Sequence, residues 1–338
     1  METKPVAIFG YELTTPKFTG KSYDLDRFDF ECLEFFFKRI IQDIPLKERA
    51  FKEDNKMINL ISFKQSEDAN IYEGVFITAR YGKEQEIIDI FEQVEAGIKP
   101  KNHGVKNEIN FVVDKRTGLL LLEKDSENVA RKTFIKKFFR YHRGLIDDYL
   151  VAFNKKYDPV KMHRTNFLKI SSLPSKTFFE ELKQFSVIND AYYYLDTDQL
   201  ESKSNEAANV LYLYNNAKQN GMKGISRVKV SFENTIPKDS VIGVEQYFKK
   251  LFEEQHFDGI GIQGKTHSGR SRTIELENIQ RVFDIKVNHN ENGMPSLKDL
   301  TEGMAEIILK DNPVAYKRKI DQFEGVEIDG DEKEERII

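Results

Sequence analysis

Residues 259–266 read Gly-Ile-Gly-Ile-Gln-Gly-Lys-Thr, a full match to the phosphate-loop pattern G-x-x-x-x-G-K-[ST]. In nucleotide hydrolases this loop follows a buried strand and precedes a helix. Here residues 244–256 before the match have the apolar spacing of an amphipathic helix, and residues 271–277 after it alternate like a strand. This order leaves no helix N-terminus facing a bound phosphate. The sequence therefore predicts a β-hairpin instead of a nucleotide site.

The tip of this predicted hairpin is rich in basic side chains. Lys265, Arg270 and Arg272 lie within eight positions of one another, together with His267. Lys and Arg spaced along a surface are sufficient to bind a nucleic-acid backbone through its phosphates. We expect these three cations to contact DNA.

Length and composition restrict the class of protein. A chain of 338 residues is long for one hydrophobic core, so two domains are expected. The single cysteine, Cys32, excludes an internal disulfide and a multi-cysteine zinc site. No histidines have metal-ligand spacing, and we expect neither a metal nor another cofactor. The N-terminus has no signal-peptide pattern and no apolar run approaches membrane-spanning length, which predicts a cytoplasmic location.

The first 125 residues alternate strand and helix patterns and predict an α+β domain of mixed or antiparallel sheet with helices packed on it. Apolar periodicity predicts helices at 26–44 and 83–97. In the second helix, the apolar positions expected to be buried are Ile87, Ile88, Ile90, Phe91 and Val94. Alternating segments predict strands at 5–13, 57–63, 72–79, 108–113 and 119–123.

Residues 126–158 are expected to connect the domains through one long basic helix at 131–153. Apolar residues share one side of this helix, and the opposite side carries the basic stripe Lys132, Lys136, Arg140 and Arg143. Such a stripe is either a solvated surface or a phosphate-binding one. It contains no acid, although a merely solvated face usually mixes acids with bases for i,i+4 pairing.

Residues 159–315 predict a second α+β domain of split β-α-β type with one helical layer. Strands are expected at 166–171, 187–195, 225–232 and 280–287 besides the hairpin, and helices at 175–185, 205–220, 244–256 and 296–310. Residues 316–338 are rich in acids and predict a disordered tail. The tail either aids solubility or competes with nucleic acid for a basic face.

A metal-dependent nuclease is an alternative. Such a site needs clustered acids and a lysine to bind magnesium and activate water, and its candidates are Asp258, Glu275, Asp284 and Lys286. Asp284 and Lys286 fit equally well on the exposed side of a strand whose Ile285 points inward. A second alternative is a protein-interaction module whose basic stripe meets an acidic partner.

Aromatic residues offer a second mode of nucleic-acid contact. Tyr192, Tyr193 and Tyr194 could stack on the bases of a single strand. Because neighbouring strand residues face opposite ways, at most alternate members share a face. No helix-turn-helix, zinc-finger or RNA-recognition signature accompanies them, so binding is expected to be independent of sequence.

Several stretches resemble the RexA family of phage exclusion proteins. They are Val75-Phe-Ile-Thr-Ala-Arg80, Glu108-Ile-Asn-Phe-Val-Val113, Leu168-Lys-Ile-Ser-Ser-Leu-Pro174 and Asn292-Gly-Met-Pro-Ser296. The resemblance implies a two-domain, homodimeric DNA-binding sensor in anti-phage defence that acts with a separate membrane protein. No functional residue carries over, since no family motif matches position by position. The sequence therefore predicts a non-catalytic protein that binds DNA independently of its sequence. The cations expected to bind phosphates are the four of the basic stripe and Lys265, Arg270 and Arg272 of the hairpin.

Overall fold

The protein has a mixed α+β fold, as predicted. The structure, a computed structural model, describes residues 2–20, 23–24, 28–173, 176–197, 208–236, 239–254, 257, 259–275, 281–291 and 293–314. The predicted acidic tail at 316–338 and the nuclease candidate Asp258 lie outside the described residues. Among the helices that are described, none is long and apolar enough to span a membrane.

The strands follow one another along the chain with helices between them. They are β1 (Glu2–Thr14), β2 (Lys17–Phe18), β3 (Tyr23–Asp24), β4 (Phe51–Glu53), β5 (Lys56–Gln65), β6 (Ile71–Arg80), β7 (Gln85–Ile88), β8 (Glu95–Lys99), β9 (Asn107–Asp114), β10 (Leu119–Glu123), β11 (Lys169–Ser172), β12 (Phe185–Asp196), β13 (Arg227–Glu233), β14 (Gly259–Thr266), β15 (Ser271–Glu275) and β16 (Val282–His289). The helices are α1 (Phe30–Asp43), α2 (Lys132–Tyr141), α3 (Asp147–Lys156), α4 (Lys176–Leu182), α5 (Ala208–Gln219), α6 (Val244–Glu254) and α7 (Leu297–Lys310).

The chain forms two compact units. Unit 1 comprises Asp29–Tyr149, the first strand up to Tyr11, and the last strand and helix from Phe283 onward. Unit 2 comprises Glu12–Phe28 and Leu150–Val282. This division differs from the expected domains 1–125, 126–158 and 159–315, because β16 pairs with β1 and α7 belongs to unit 1.

An eight-stranded sheet has the strand order β11-β1-β10-β9-β6-β5-β4, and β16 also pairs with β1. The pairs from β10 to β4 are all antiparallel. Helix α1 covers this sheet. It begins where the Asp29 carboxylate accepts a hydrogen bond from the Cys32 N–H at 3.2 Å. Cys32 is buried, and the helix ends before Pro45.

Phenylalanine rings fill the space between this sheet and its helices. The Phe37 ring of α1 meets Phe111 of β9 edge-on at 6.2 Å, and Phe138 of α2 meets Phe76 of β6 edge-on at 5.9 Å. The Phe111 ring lies over Gly74, where a Cβ atom would overlap it. Phenylalanine packing between the sheet and its helices is therefore a main part of the core of unit 1.

The prediction of a helix at 83–97 is wrong, because β7 and β8 form a two-stranded antiparallel hairpin there. The Asp89 carboxylate accepts hydrogen bonds from the N–H groups of Phe91 and Glu92 at 2.8 and 3.0 Å, which stabilises a turn in place of a helix. Gly97 has a φ of 153°, a conformation open mainly to glycine. The apolar residues expected on the buried side of the helix are instead exposed.

The single helix predicted at 131–153 is also wrong. Helix α2 ends at Tyr141, a 3-10 turn covers Arg143–Ile146, and α3 begins at Asp147. The buried His142 lies at the break, where its Nε2 hydrogen-bonds the Arg49 carbonyl at 2.8 Å. Gly144 lies inside the 3-10 turn and lowers the stability of a continuous helix.

Unit 2 contains a four-stranded sheet with the order β13-β12-β14-β15. Strand β12 is antiparallel to both neighbours, so β13 and β14 run in the same direction on either side of it. Since α6 connects β13 to β14, these elements form a split β-α-β unit. Helices α4 and α6 cover one face of the sheet, where Phe178 and Phe248 pack against Ile260 and Ile262.

We predict that acidification destabilises unit 1 through His142. Burial lowers the pKa of this imidazole, so the folded protein holds it neutral. The unfolded chain then binds more protons, and stability that is complete above about pH 6.5 is lost as the pH falls toward the lowered folded pKa. Urea unfolding at pH 5, 6, 7 and 8 measures this loss. His142→Gln should reduce the slope between pH 5 and 7, and an unchanged slope would contradict the assignment.

Candidate nucleic-acid interface

The phosphate-loop pattern is a strand in the structure. Strand β14 covers Gly259–Thr266, pairs on one side with β12 and turns into β15 on the other. The predicted hairpin is therefore confirmed. The backbone N–H and C=O groups of a strand with two neighbours serve the sheet ladders and do not encircle a phosphate.

Two glycines of this strand make room for tyrosine rings. Gly259 and Gly261 lie opposite Tyr194 and Tyr192 of β12 in the sheet register. A Cβ atom at either glycine would overlap the ring of its partner. Each ring can therefore lie across the neighbouring strand, close to its backbone, only because that strand has glycine there.

A cation covers each ring. The Arg227 guanidinium carbon lies 3.6 Å from the centre of the Tyr194 ring, and the Lys229 Nζ lies 3.6 Å from the centre of the Tyr192 ring. Both cations come from β13, the strand on the other side of β12. The rings are consequently only 6 % (Tyr192) and 4 % (Tyr194) exposed, although the face of the sheet on which they lie is open. We call this side of the unit 2 sheet the tyrosine face.

The tyrosine face has a polar, solvent-exposed surface above the buried rings. The side chains of Tyr192 and Tyr194 alternate with that of Tyr193, which points to the helical layer and packs there. Burial and the neighbouring Tyr247 raise the pKa of Tyr193 to about 12. The exposed residues of the tyrosine face are Arg227, Lys229, Ser231, Glu233, Gln263, Lys265, Ser271 and Thr273.

Of the three described acids on the tyrosine face, two contact other side chains of the face, and the third, Glu233, is exposed at the end of β13. The Tyr192 hydroxyl donates a hydrogen bond to Glu275, and burial together with this contact raises the tyrosine pKa. Asp190 accepts from the Ser231 hydroxyl and lies 3.5 Å from the Lys229 Nζ. Both of these carboxylates are only partly exposed, while Arg227, Lys229 and Lys265 are exposed, as is Glu233.

The predicted hairpin cations do not all have the same role. Lys265 lies on the tyrosine face, because it follows Gly259 and Gly261 at even spacing along β14. Arg270 is exposed at the turn between the two strands. Arg272 points to the opposite side, where it forms an ion pair with Glu181 at 2.5 Å and donates to the Gln184 side chain at 2.9 Å. Arg272 is therefore a structural residue of the helical side.

The predicted basic stripe is divided by the break after α2. Lys132, Lys136 and Arg140 lie on α2, are half-buried, and each interacts with another group of the protein. Arg143 lies in the 3-10 turn and is exposed. All four belong to unit 1, whereas the hairpin cations belong to unit 2. Of the stripe, Arg143 is the residue most available to a ligand.

The positions of the described nuclease candidates give little support to a metal-dependent active site. Asp284 and Lys286 are exposed on β16 while Ile285 points inward and contacts Gly303, as expected of an alternating strand. Glu275 accepts the Tyr192 hydroxyl in unit 2. Within the described ranges, no group of three His, Cys, Asp or Glu residues could hold a metal ion.

Comparison with known proteins assigns no family. No protein-family model matches the chain, and no curated protein is significantly similar to it.

Sequence reasoning missed Arg227 and Lys229. The alternation of residues 225–232 indicated a strand, and it placed both cations on one side of that strand. What the sequence did not show was the pairing of β13 with β12, which brings the cations over the tyrosines. The alternate glycines of β14 were the available signal, since they indicate that bulky groups approach that strand closely.

We predict that a methyl group at Gly259 is tolerated only when the Tyr194 ring is removed. Gly259→Ala should lower the free energy of unfolding by about 1–3 kcal/mol, because the ring must leave its position. In a Tyr194→Ala background the same change should have little effect. Urea unfolding of the four proteins gives the coupling energy. Additive effects of the two substitutions would show that the ring and the glycine do not compete for space.

Proposed function

We propose that this chain is a non-catalytic protein that binds DNA independently of sequence, through the tyrosine face and the adjoining hairpin tip of unit 2. The proposal is carried by four exposed cations of that unit: Arg227, Lys229, Lys265 and Arg270. Among the described residues, Lys265 and Arg270 form no ion pair. Cations that bind phosphates hold a nucleic acid in place but do not recognise its bases.

The spacing of the cations suits an extended backbone. Arg227 and Lys229 are two residues apart on β13 and hence about 6.6 Å apart along the strand. Lys265 lies on β14, two strand spacings or about 9.5 Å across the sheet from β13. A phosphodiester chain crossing the face would meet a cation at each of these positions.

The tyrosine rings beneath Arg227 and Lys229 favour single-stranded DNA over a duplex. A cation–π contact contributes about 0.5–1 kcal/mol at an exposed site and about 2 kcal/mol or more when it is desolvated, which is similar to the about 1.5–3 kcal/mol of a hydrogen bond to a charged group. A phosphate that binds Arg227 or Lys229 therefore competes with the tyrosine ring on nearly equal terms. A ring exposed by this competition can stack on an unpaired base, an interaction of about 1–3 kcal/mol. Base pairs in a duplex do not offer such a surface.

The role in bacterial anti-phage defence, as in phage exclusion, rests on the resemblance to the RexA family. That resemblance also implies a homodimer and a separate membrane-protein partner, and the proposed location is the cytoplasm, as the sequence patterns predict. Sequence-independent binding of single-stranded DNA suits a sensor that responds to DNA intermediates rather than to one operator site. These parts of the proposal concern biological context and are separable from the binding chemistry.

We predict a salt-dependent affinity for oligothymidylate that depends on the hairpin tip. If all four cations meet phosphates, the log–log salt slope is about −2.8, and Lys265→Ala with Arg270→Ala should reduce it to about −1.4. Fluorescence anisotropy between 50 and 300 mM NaCl measures both slopes. Lys298→Ala with Lys310→Ala is the matched control: it removes equal charge from two lysines that pair with Glu302 and Glu306 on α7.

Two results would contradict the proposal. One is the absence of binding at 50 mM salt; the other is a salt slope that both double variants change equally. The same samples also distinguish the nuclease alternative, since magnesium-dependent cleavage of the oligonucleotide would show catalysis and overturn the non-catalytic function.

A further inference from the structure

The β7–β8 hairpin exposes more apolar side chains than the surface of a monomeric protein usually does. We call residues 85–99 the arm. Its apolar side chains are all at least half exposed, and Phe91 at the tip is 94 % exposed. The six are Ile87, Ile88, Ile90, Phe91, Val94 and Ile98. Because neighbouring strand residues face opposite ways, these side chains lie on both faces and at the tip of the arm, and an exposed apolar cluster of this kind is typical of an interaction site.

The tip of the arm is an ordered turn. The Asp89 carboxylate receives two backbone N–H groups, and these hydrogen bonds lower its pKa and keep it ionised. The Gln93 N–H donates to the Asp89 carbonyl at 2.9 Å, and the Asp89 N–H donates to the Val94 carbonyl at 2.9 Å. Phe91 is thus presented by a fixed backbone, so little conformational entropy is lost when it docks.

A cavity that can accept such a ring lies in the same unit. It measures about 410 Å³ and lies on the outer side of β5 and β6, near the base of the arm. Met57, Ile77, Ala79 and Tyr81 supply its apolar wall. Lys52 and Lys106 also line the cavity, and Lys106 pairs with Glu108.

We propose that the arm docks on a second copy of this chain, with Phe91 of each copy in the cavity of the other. The cavity volume of about 410 Å³ leaves room for one aromatic ring, and Met57, Ile77 and Ala79 give it an apolar wall against which a ring can pack. The charges match as well: Asp89, Glu92 and Glu95 surround the tip, and lysines surround the cavity. This inference does not rest on the nucleic-acid proposal, but it rests on the homodimer of the proposed function and names its interface.

The geometry suits a reciprocal exchange. Strand β7 rises from the cavity region by about 3.3 Å per residue, so Phe91 lies roughly 20–25 Å from the base of the arm. Two arms can then run antiparallel beside each other between two cavities, as a two-fold axis requires. Strands β7 and β8 form a sheet of two strands, and each has an edge with no further strand among the described residues. Pairing along these edges would extend the sheet between the copies.

The same charges disfavour a lipid surface as the occupant. Glu84, Glu86, Asp89, Glu92 and Glu95 are all on or next to the arm. Anionic headgroups repel acids and attract Lys and Arg. Lys83, Lys99 and Lys101 lie at the base of the arm, so the tip that would enter a membrane carries acids and no cation.

Sedimentation equilibrium of the full chain from 1 to 100 µM tests the arm. We expect a dimer whose dissociation constant rises about 30-fold or more in Phe91→Asp, as for a central anchor residue. Because Phe91 makes almost no contact within its own copy, circular dichroism and thermal unfolding should be unchanged. Ile242→Asp is the matched control, since Ile242 is 88 % exposed in unit 2, and it should leave the dimer intact.

A charge exchange tests the cavity. Lys52→Glu and Glu92→Lys should each weaken the dimer about threefold, and the double variant should return to the wild-type dissociation constant. A wild-type monomer at 100 µM, a Phe91→Asp dimer as tight as wild type, or additive losses in the double variant would overturn the proposal. So would monomeric protein that floats with phosphatidylcholine vesicles only when Phe91 is present. Oligothymidylate binding by Phe91→Asp is measured in parallel, which separates failure of the dimer from failure of the binding face.

Discussion

The close approach of two tyrosine rings to a neighbouring strand organises the functional face of unit 2. Each ring can lie over β14 only because Gly259 and Gly261 have no Cβ atom there. The rings in turn provide the surfaces over which Arg227 and Lys229 lie. Steric space on one strand thus determines the position of cations on a strand two places away. The function that we propose depends on that placement.

The same steric constraint explains why a phosphate-loop pattern occurs in β14, where the glycines have a different role. In a phosphate loop, glycines permit tight turns and bring the backbone near an anion. In β14 they bring the backbone near aromatic rings. Elements flanking the pattern distinguished these cases from sequence alone, because helix α6 precedes it and strand β15 follows it. The tyrosines opposite the glycines could not be foreseen, since about 65 residues separate them along the chain and register is set by tertiary pairing.

Two errors in unit 1 have a common physical origin. Apolar periodicity predicted helices at 83–97 and at 131–153, but periodicity measures amphipathicity and not where the core lies. Residues 85–99 have no core to cover, and β-branched isoleucines with an Asp89-stabilised turn favour a hairpin. At the second site the apolar face of α2 is buried as expected, yet His142 and Gly144 divide the helix. Where packing and periodicity agree, as in α1 and α7, the predicted helices are confirmed.

Two surfaces of opposite chemistry result, one on each unit. The arm of unit 1 is apolar and acidic, while the tyrosine face of unit 2 is polar with protruding cations. A surface of the first kind suits a protein and one of the second kind suits a polyanion. Each can be tested without the other, which keeps association and nucleic-acid binding separate in any experiment.

Hydrogen–deuterium exchange with and without oligothymidylate tests the central claim most directly, because it locates the contact without altering the protein. The account predicts slower exchange in β13 and in the β14–β15 hairpin, with the largest change at residues 265–271 beside the exposed cations. Protection confined to α2 and the 3-10 turn, or no protection under conditions in which the oligonucleotide is bound, would contradict it.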